Sequence, residues 1–546
     1  MRVLSLLAAA ALLGLTGCGT PPADLPVARV GERVITRDAL LAATRAQSQT
    51  KSVPFDQASP EFQFNYATTV LLRMVDDLVC EQRADAAMRT RARERAERTL
   101  ARQPGADPTL AEGLYQYHLF RELTGHPPGG PDEAAIRRQW RDAARVEWLL
   151  RYDMVVTPKG RAARLPAVLL VGALAGGLWW RFGRRHVILG VGLALRIAAW
   201  AAIPYDYLAY DVDGHLEYIR YVREHKRVPP AEAGFQFYQP PLYYFLGAAV
   251  GGDPRAVQTV SLVLSVATLV AGLSVVPTGF GAWLLAMHPA LVLPAARINN
   301  DVLVTFWLFL AAAFLWRFWQ SDRLRDGWLA SAATLAGVWT KNTALLFVPV
   351  LAGVALFHRH RWRLLPGVLL LVLARPPGLG AGNVAALSPA LALAITPLDL
   401  ITFNPVRVIA EPFVNPLIPG PARDHLWEYW VRSALFGEFS FSWPTGLAGG
   451  LVAGWLLVLG AAAWGVFRTP WRTALPWLLL LAVLLAGQMA YVWRAPFSTS
   501  QDFRYLAVVL LPVAFFCNAA FNRGSCHSRG SASKQRAARG TSPTTR

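Results

Sequence analysis

Tyr210-Asp-Val-Asp-Gly-His-Leu-Glu-Tyr-Ile-Arg-Tyr-Val222 follows a long apolar run and precedes an aromatic, proline-containing stretch, Phe235-Gln-Phe-Tyr-Gln-Pro-Pro-Leu-Tyr-Tyr-Phe245. From His215 onward, Leu216, Tyr218, Ile219 and Val222 recur at helical spacing, which predicts an amphipathic helix lying on a membrane surface. Pro240 and Pro241 fix a kinked entry into the next segment, and the aromatic rings suit a membrane–water interface. Asp211 and Asp213 would be costly in hydrocarbon, so they belong in a loop at the end of a span. The side of the membrane on which that loop lies decides what chemistry it meets.

Working outward, residues 165–521 are dominated by long apolar runs, whereas residues 19–164 are charge-rich. The 546-residue chain is 16% charged and 54% hydrophobic, with a mean hydropathy of +0.31. Soluble proteins carry about 25% charged residues, so the balance points to a membrane protein. The expected fold is an all-α polytopic membrane protein of about 11 spans, preceded by a small, mainly helical periplasmic domain. The expected divisions are a signal at 1–18, a soluble domain at 19–164, a multi-span domain at 165–521 and a basic cytoplasmic tail at 522–546. The net charge of +19 does not imply nucleic acid as a partner, because many arginines sit in short loops between apolar segments. That placement fixes orientation in a lipid bilayer. Four cysteines, Cys18, Cys80, Cys517 and Cys526, form no CxxC or Cys/His cluster of the kind that holds zinc.

The N-terminus reads as an address. Arg2 precedes a short apolar run, Val3 to Leu15, that ends in Leu15-Thr16-Gly17-Cys18. The run is too short to anchor stably and has the form of a signal peptide. Its last four residues resemble the lipobox of bacterial lipoproteins, which implies cleavage before Cys18 and lipidation of its thiol. Either kind of cleavage exports residue 19 onward. The exported segment predicts a strand and turn around Gly31-Glu32, a helix capped by Thr36, and further helices over about 61–87, 89–100, 109–125 and 132–150. Val27-Ala-Arg-Val-Gly-Glu, Val34-Ile-Thr36 and Leu71-Leu-Arg-Met-Val-Asp-Asp-Leu-Val79 resemble the N-terminal region of SurA-type periplasmic chaperones and parvulin-like isomerases. The isomerase domain of that family would follow near residue 155, where this chain enters the membrane. No prolyl isomerase activity is therefore expected, and a helical chaperone-like or docking module is.

With residue 164 outside, a first span over about 165–181 runs inward and meets Arg181, Arg184 and Arg185, as the positive-inside rule requires. A second span, 186–204, returns outward, so the loop with Asp211 and Asp213 faces the periplasmic side of a bacterial inner membrane. Arg317 to Arg325, His358 to Arg363, Arg468 to Arg472 and the tail then all fall on the cytoplasmic side. Asn299-Asn-Asp301, Thr340-Lys-Asn342, residues 375–443 and Trp493 to Arg504 fall outside. Residues 241–252 are long enough only for a half-buried helix, and 383–398 reads as re-entrant or as an additional segment.

Polar residues gathered at one end of an apolar bundle are candidates for function. The outer end collects Asp211, Asp213, His215, Gln236, Gln239, Asn300, Asp301, Lys341, Arg407, Glu411, His425, Glu438, Gln501, Asp502 and Arg504. Carboxylates beside cations suit transfer from a phosphate-bearing substrate, since one can take a proton from a hydroxyl and the other can stabilise a departing phosphate. His425 and Glu438 read as structural rather than catalytic.

Asp211-Val-Asp-Gly-His215, Gln239-Pro-Pro-Leu-Tyr-Tyr244, Asn299-Asn-Asp-Val-Leu303, Thr340-Lys341, Ser433-Ala-Leu-Phe-Gly-Glu438 and Asp502-Phe-Arg-Tyr-Leu506 resemble, in this order, motifs of the GT-C glycosyltransferases. That superfamily includes protein O-mannosyltransferases and lipid A aminoarabinose transferases. The resemblance runs from about 186 to 521 and implies a polyprenyl-phosphate-linked sugar donor with transfer on the outer face. It places Asp211 as the catalytic carboxylate, with Asp213 sharing that role or binding a divalent ion. It further implies that Lys341 and Arg504 contact the lipid phosphate, and that Asp301, with Asn300, His215 and Gln239, orders the donor. The acceptor, whether lipid, glycan or protein, is left undefined. Two departures stand out: an extra span before the usual first one, and a Pro-rich external segment, 375–443, that lacks a recognisable soluble domain.

Three alternatives remain at this level. A membrane-anchored chaperone or assembly factor would need only one span. A transporter would be expected to show internal repeats and mid-membrane charges. A joining of two neighbouring genes near 155–165 would leave the topology unchanged.

Overall fold

The structure is a computed structural model that describes residues 22–48, 54–102, 110–128, 133–156, 184–207, 211–357, 367, 391–418, 420–441 and 444–521. The expected signal peptide with Cys18, the span over 165–181, the loop 358–363 and the tail 522–546 lie outside the described residues.

The N-terminal unit begins with an antiparallel pair, β1 (Pro26–Val30) and β2 (Arg33–Thr36). Gly31 makes the turn between them at φ 60°, a left-handed conformation that glycine adopts without strain. Thr36 caps the helix Arg37–Ser48 by accepting a hydrogen bond from the Ala39 amide at 3.3 Å. The helix Pro60–Arg83 turns Val70, Leu71, Val75 and Val79 onto the sheet, where they are buried with Val27 and Val30. Ala86–Ala101, Leu110–Thr124 and Glu133–Ala143 complete the helices.

The sequence predicts helix to residue 150, and here the structure differs. The last helix stops at Ala143, Arg145 takes φ 50°, and Glu147–Trp148 pairs with the other edge of β1 as β3. A left-handed residue ends a helix, and Val146 to Trp148 then suit a strand better than another helical turn.

The remainder is a polytopic helical bundle. Six helices among the described residues are long and apolar enough to cross a membrane: Arg185–Ala202, Pro254–Val275, Asn300–Ser321, Thr445–Arg468, Trp471–Arg494 and the broken segment Ser498–Phe521. The expected count of about eleven covers the whole chain, including the span over 165–181 outside the described residues; among the described residues, continuous spans are fewer than apolar runs for a physical reason. Several apolar runs do not form one continuous helix. Phe280–Met287 stops before Pro289, a four-residue helix and a 3-10 turn follow, and Asn300 starts the next long helix. Leu324–Val338 and Phe347–Phe357 are likewise separated by a 3-10 turn over Asn342–Leu346. Leu242–Ala249 is short, as its length in the sequence suggests.

The break at Met287 leaves carbonyl groups without intrahelical donors. Arg196, buried in the helix Arg184–Ala202, supplies them: Nη1 donates to Ala286 O at 3.0 Å, and Nη2 to Leu285 O at 3.4 Å. Its Nε donates to Ser265 Oγ at 3.0 Å. A cation in the bundle thus serves as a helix cap.

Close packing depends on glycine. A Cβ on Gly281 would collide with the Ala514 carbonyl, and one on Gly465 with the Phe516 carbonyl, so the last helix lies directly against two neighbouring backbones. Gly465→Val is expected to destabilise the bundle by about 1–3 kcal/mol, the usual cost of overpacking. Gly460→Val, on an open face of the same helix, should change little. Melting of the detergent-solubilised variants decides between them.

The two ends of the bundle differ in charge. At one end, Trp319 Nε1 donates to Arg472 O at 2.8 Å and Arg468 Nη1 to Ala520 O at 3.1 Å, which brings the loops 317–325 and 468–472 together. The carboxylates gather at the other end. There the N-terminal unit docks onto residues 420–441. Tyr152 N donates to Ser440 O at 2.6 Å, Ser440 Oγ donates to Leu150 O at 3.1 Å, and Arg138 pairs with Asp424 at 2.6 Å.

Candidate active site

Asp211 sits at φ 56°, immediately before the helix Val212–His225, and its side chain does not cap that helix. A non-glycine residue held in this region marks a conformation imposed by its surroundings. The carboxylate instead bonds to Gln236 and feels Arg504, Lys341 and Asp301. Gly214 makes the bond with Gln236 possible, because a Cβ there would press on Gln236 Cγ at 2.7 Å. The helix itself is held by apolar and aromatic packing of Val212, Tyr218, Ile219 and Val222 against Phe237, Tyr243 and Tyr244.

Asp301 arrives from the first turn of the helix Asn300–Ser321. Asn299 caps this helix by accepting from the Asp301 amide at 2.7 Å, and a carboxylate in the first turn complements the helix dipole. Lys341 follows the helix Leu324–Val338 and donates through Nζ to Asp301 Oδ1. Arg504 Nε lies 3.8 Å from Asp301 Oδ2 and 3.5 Å from Asp502 Oδ2. Both cations also approach the Tyr505 ring, Lys341 Nζ at 4.8 Å and Arg504 Cζ at 5.1 Å from its centroid. Asp502 and Arg504 enter the bundle because the chain there forms 3-10 turns, Ser498–Gln501 and Phe503–Val509, before the helix Leu510–Phe521.

A polar ladder borders this centre. Gln239 Nε2 donates to Gln236 Oε1 at 3.3 Å, and Asn300 Nδ2 donates to Gln239 Oε1 at 3.3 Å. The Leu242 amide donates to Trp339 O at 3.0 Å, tying the Gln239-Pro-Pro stretch to the Lys341 turn. Asn300 Oδ1 is buried with no hydrogen-bond partner among the described residues.

Glu438 completes the group from a different direction. It is buried, accepts from Tyr429 OH at 2.5 Å, and feels Asp502, Arg504 and Asp211. Burial, reinforced by the Asp502 charge, pushes its carboxyl up to about 8. Its proton therefore stabilises the fold fully below the ordinary carboxylate range, and that stability is lost as pH rises toward 8. The melting midpoint is expected to fall between about pH 5 and pH 8, and Glu438→Gln should remove that component of the slope.

Not every candidate residue joins the cluster. Asp213 is exposed in the first turn of its helix. His215 is buried and stacks on Tyr244, with Nδ1 3.0 Å from Tyr244 OH, and burial pushes it down to about 3, so it is neutral. Arg407 pairs with Glu428, and His425 lies against Thr402 and Asp399, so both belong to the packing of 396–432. Among the described residues, no group of three or more His, Cys, Asp or Glu side chains is arranged to hold a metal ion. Tyr505 is part of the site but not among the sequence candidates; its position next to Arg504 is the signal that could have found it.

Burial in a poorly solvated cluster raises the Asp211 carboxyl, an effect opposed by Arg504 and Lys341. The arrangement offers a proton acceptor beside two fixed cations, with Asp301 between those cations. Such a centre can deprotonate a hydroxyl while stabilising negative charge that develops a few ångströms away.

Comparison with solved structures finds the single-particle cryo-EM structure of arabinosyltransferase EmbB from Mycobacterium smegmatis, at 14% sequence identity and a TM-score of 0.29. The match covers 72% of this chain and 45% of that one, so this chain spans less than half the length of the protein it matches. No residue of the site is assigned by that likeness. No family model and no curated protein matches this chain.

Proposed function

We propose that this membrane protein is a glycosyltransferase that moves a sugar from a polyprenyl-phosphate donor to a hydroxyl acceptor of the cell envelope, at the periplasmic face of a bacterial inner membrane. The observation that carries this reading is the convergence of Asp211, Asp301, Lys341 and Arg504, from four separate elements, at the end of the bundle opposite its basic loops. The order of motifs that resembles the GT-C enzymes supports it independently of the geometry.

In this reading Asp211 takes the proton of the acceptor hydroxyl as its oxygen attacks the anomeric carbon. The bond from that carbon to the phosphate oxygen breaks, and the polyprenyl phosphate leaves with the electron pair. Lys341 and Arg504 face the phosphate and stabilise the charge it gains. Asp301 holds the two cations in place, and Gln236 orients Asp211. Asn300 offers its unpartnered Oδ1 to a sugar hydroxyl.

Membranes containing the full chain, given radiolabelled polyprenyl-phosphate pentoses and hexoses, should move label out of the lipid-phosphate fraction. Failure with every donor, in membranes where the folded protein is present, would overturn the reading. Its orientation is tested by maleimide labelling of exposed positions. Asp213→Cys should react from the periplasmic side and Arg325→Cys only after permeabilisation; the reverse pattern would place the site on the wrong face.

A further inference from the structure

We propose that the N-terminal unit is part of the catalytic apparatus, with Tyr152 as a positioning residue that fixes the loop carrying Glu438. This rests on the transferase reading for its kinetic consequence, but its structural consequence stands without it.

Tyr152 is fully buried at the C-terminal edge of the N-terminal unit. Its ring meets Phe439 edge-on at 4.5 Å and Tyr207 edge-on at 5.3 Å between centroids. Phe439 is the residue after Glu438. Tyr207 is the fourth residue before Asp211. One aromatic ring therefore touches both the neighbour of Glu438 and Tyr207, the last described residue before the Asp211 segment. The backbone reinforces the contact, since the Tyr152 amide donates to Ser440 O at 2.6 Å and Ser440 Oγ returns a bond to Leu150 O at 3.1 Å. Phe64, from the longest helix of the N-terminal unit, packs against Tyr152 at 5.0 Å and so ties the clamp to that unit's core.

After the helix Leu426–Phe436, the described residues 437–441 form no helix or strand. Gly437 turns this segment at φ 68°, and Glu438 on it accepts from Tyr429 OH. Such a segment holds its position only through what packs on it. The clamp sets where Glu438 stands against the Asp502 and Arg504 side of the site. This accounts for a soluble unit that lies directly on the carboxylate end of the bundle.

The test uses the full-length protein in detergent or nanodiscs. Tyr152→Leu keeps the core apolar but removes the ring, Ser440→Ala removes one bond, and Tyr152→Phe keeps the ring. In Tyr152→Leu, amide hydrogen exchange of the peptide spanning 436–441 should rise about tenfold. The kcat for transfer should fall by roughly 10- to 100-fold with the donor KM little changed, because misplacement rather than lost binding is responsible. Ser440→Ala should move both readings in the same direction but less, and Tyr152→Phe, which keeps the ring contacts, should move both less than Tyr152→Leu. Unchanged exchange at 436–441 in Tyr152→Leu would overturn the clamp. Raised exchange with an unchanged kcat would overturn its role in positioning. If the parent protein transfers no sugar, the transferase reading fails and the exchange measurement still decides whether Tyr152 holds the loop.

Discussion

Asp211→Asn is expected to lower transfer by roughly 10²–10⁴-fold in kcat with donor binding largely retained, the range for loss of a general base. Asparagine has the shape of aspartate and keeps a hydrogen-bonding oxygen for Gln236, so the loop should not rearrange. Because burial already works against the charged form of Asp211, the neutral replacement should melt at the same temperature as the parent or slightly above it. Lost activity without lost stability separates a chemical role from a structural one. Asp213→Asn is the necessary companion. Asp213 is exposed in the first turn of its helix, so its loss should cost less than tenfold in rate. Equal losses for both variants would show that the acidic motif acts as a unit and that the assignment to Asp211 alone is wrong.

Arg504→Met should be the most damaging change to the fold as well as to the reaction. The guanidinium lies between Asp301 and Asp502, all three largely buried. Removing one partner of a buried ion pair leaves charge uncompensated, at a cost of about 3–5 kcal/mol. The variant should therefore melt lower than the parent, and transfer should fall by roughly 10²–10³-fold through loss of a donor aimed at the leaving phosphate. Adding Asp502→Asn removes one of the stranded carboxylates and should restore part of the stability but none of the transfer. A double variant no more stable than Arg504→Met would show that Asp502 and Arg504 are not energetically linked.

Much of this was legible in the chain because it rests on one-dimensional signals. Apolar runs marked the spans, arginine-rich loops marked one end, and Asn299-Asn-Asp301 read as the start of a helix, where Asn299 is indeed the cap. The grouping of Asp211, Asp301, Lys341 and Arg504 could be anticipated only as a shared end of the bundle. The contacts within it join residues tens to hundreds of positions apart, and no periodicity encodes such pairs. Glu438 illustrates the limit. In the sequence it reads as structural, and nothing one-dimensional marks that its carboxyl is buried with Asp502 and Arg504 acting on it. Gly214 is another case. Its value is the space it leaves for Gln236, twenty-two residues further on, and that space exists only in the folded loop. The broken helices have the same origin, because prolines and 3-10 turns interrupt described apolar runs in ways that hydropathy alone does not locate.

Arg196 has a consequence for how the protein is made. Beyond Gly192 O in its own helix and Ser265, its carbonyl partners Leu285 and Ala286 lie some ninety residues later in the chain. When the helix Arg184–Ala202 first reaches the bilayer during synthesis, those acceptors do not yet exist, and an isolated arginine at the centre of a span costs about 2.5–3.5 kcal/mol. The early helix is thus a poor membrane span until Phe280–Met287 arrives to solvate it. Insertion of the first half of the bundle is coupled to a segment made later, so a nascent chain truncated before residue 285 should hold that helix less firmly than the finished protein does.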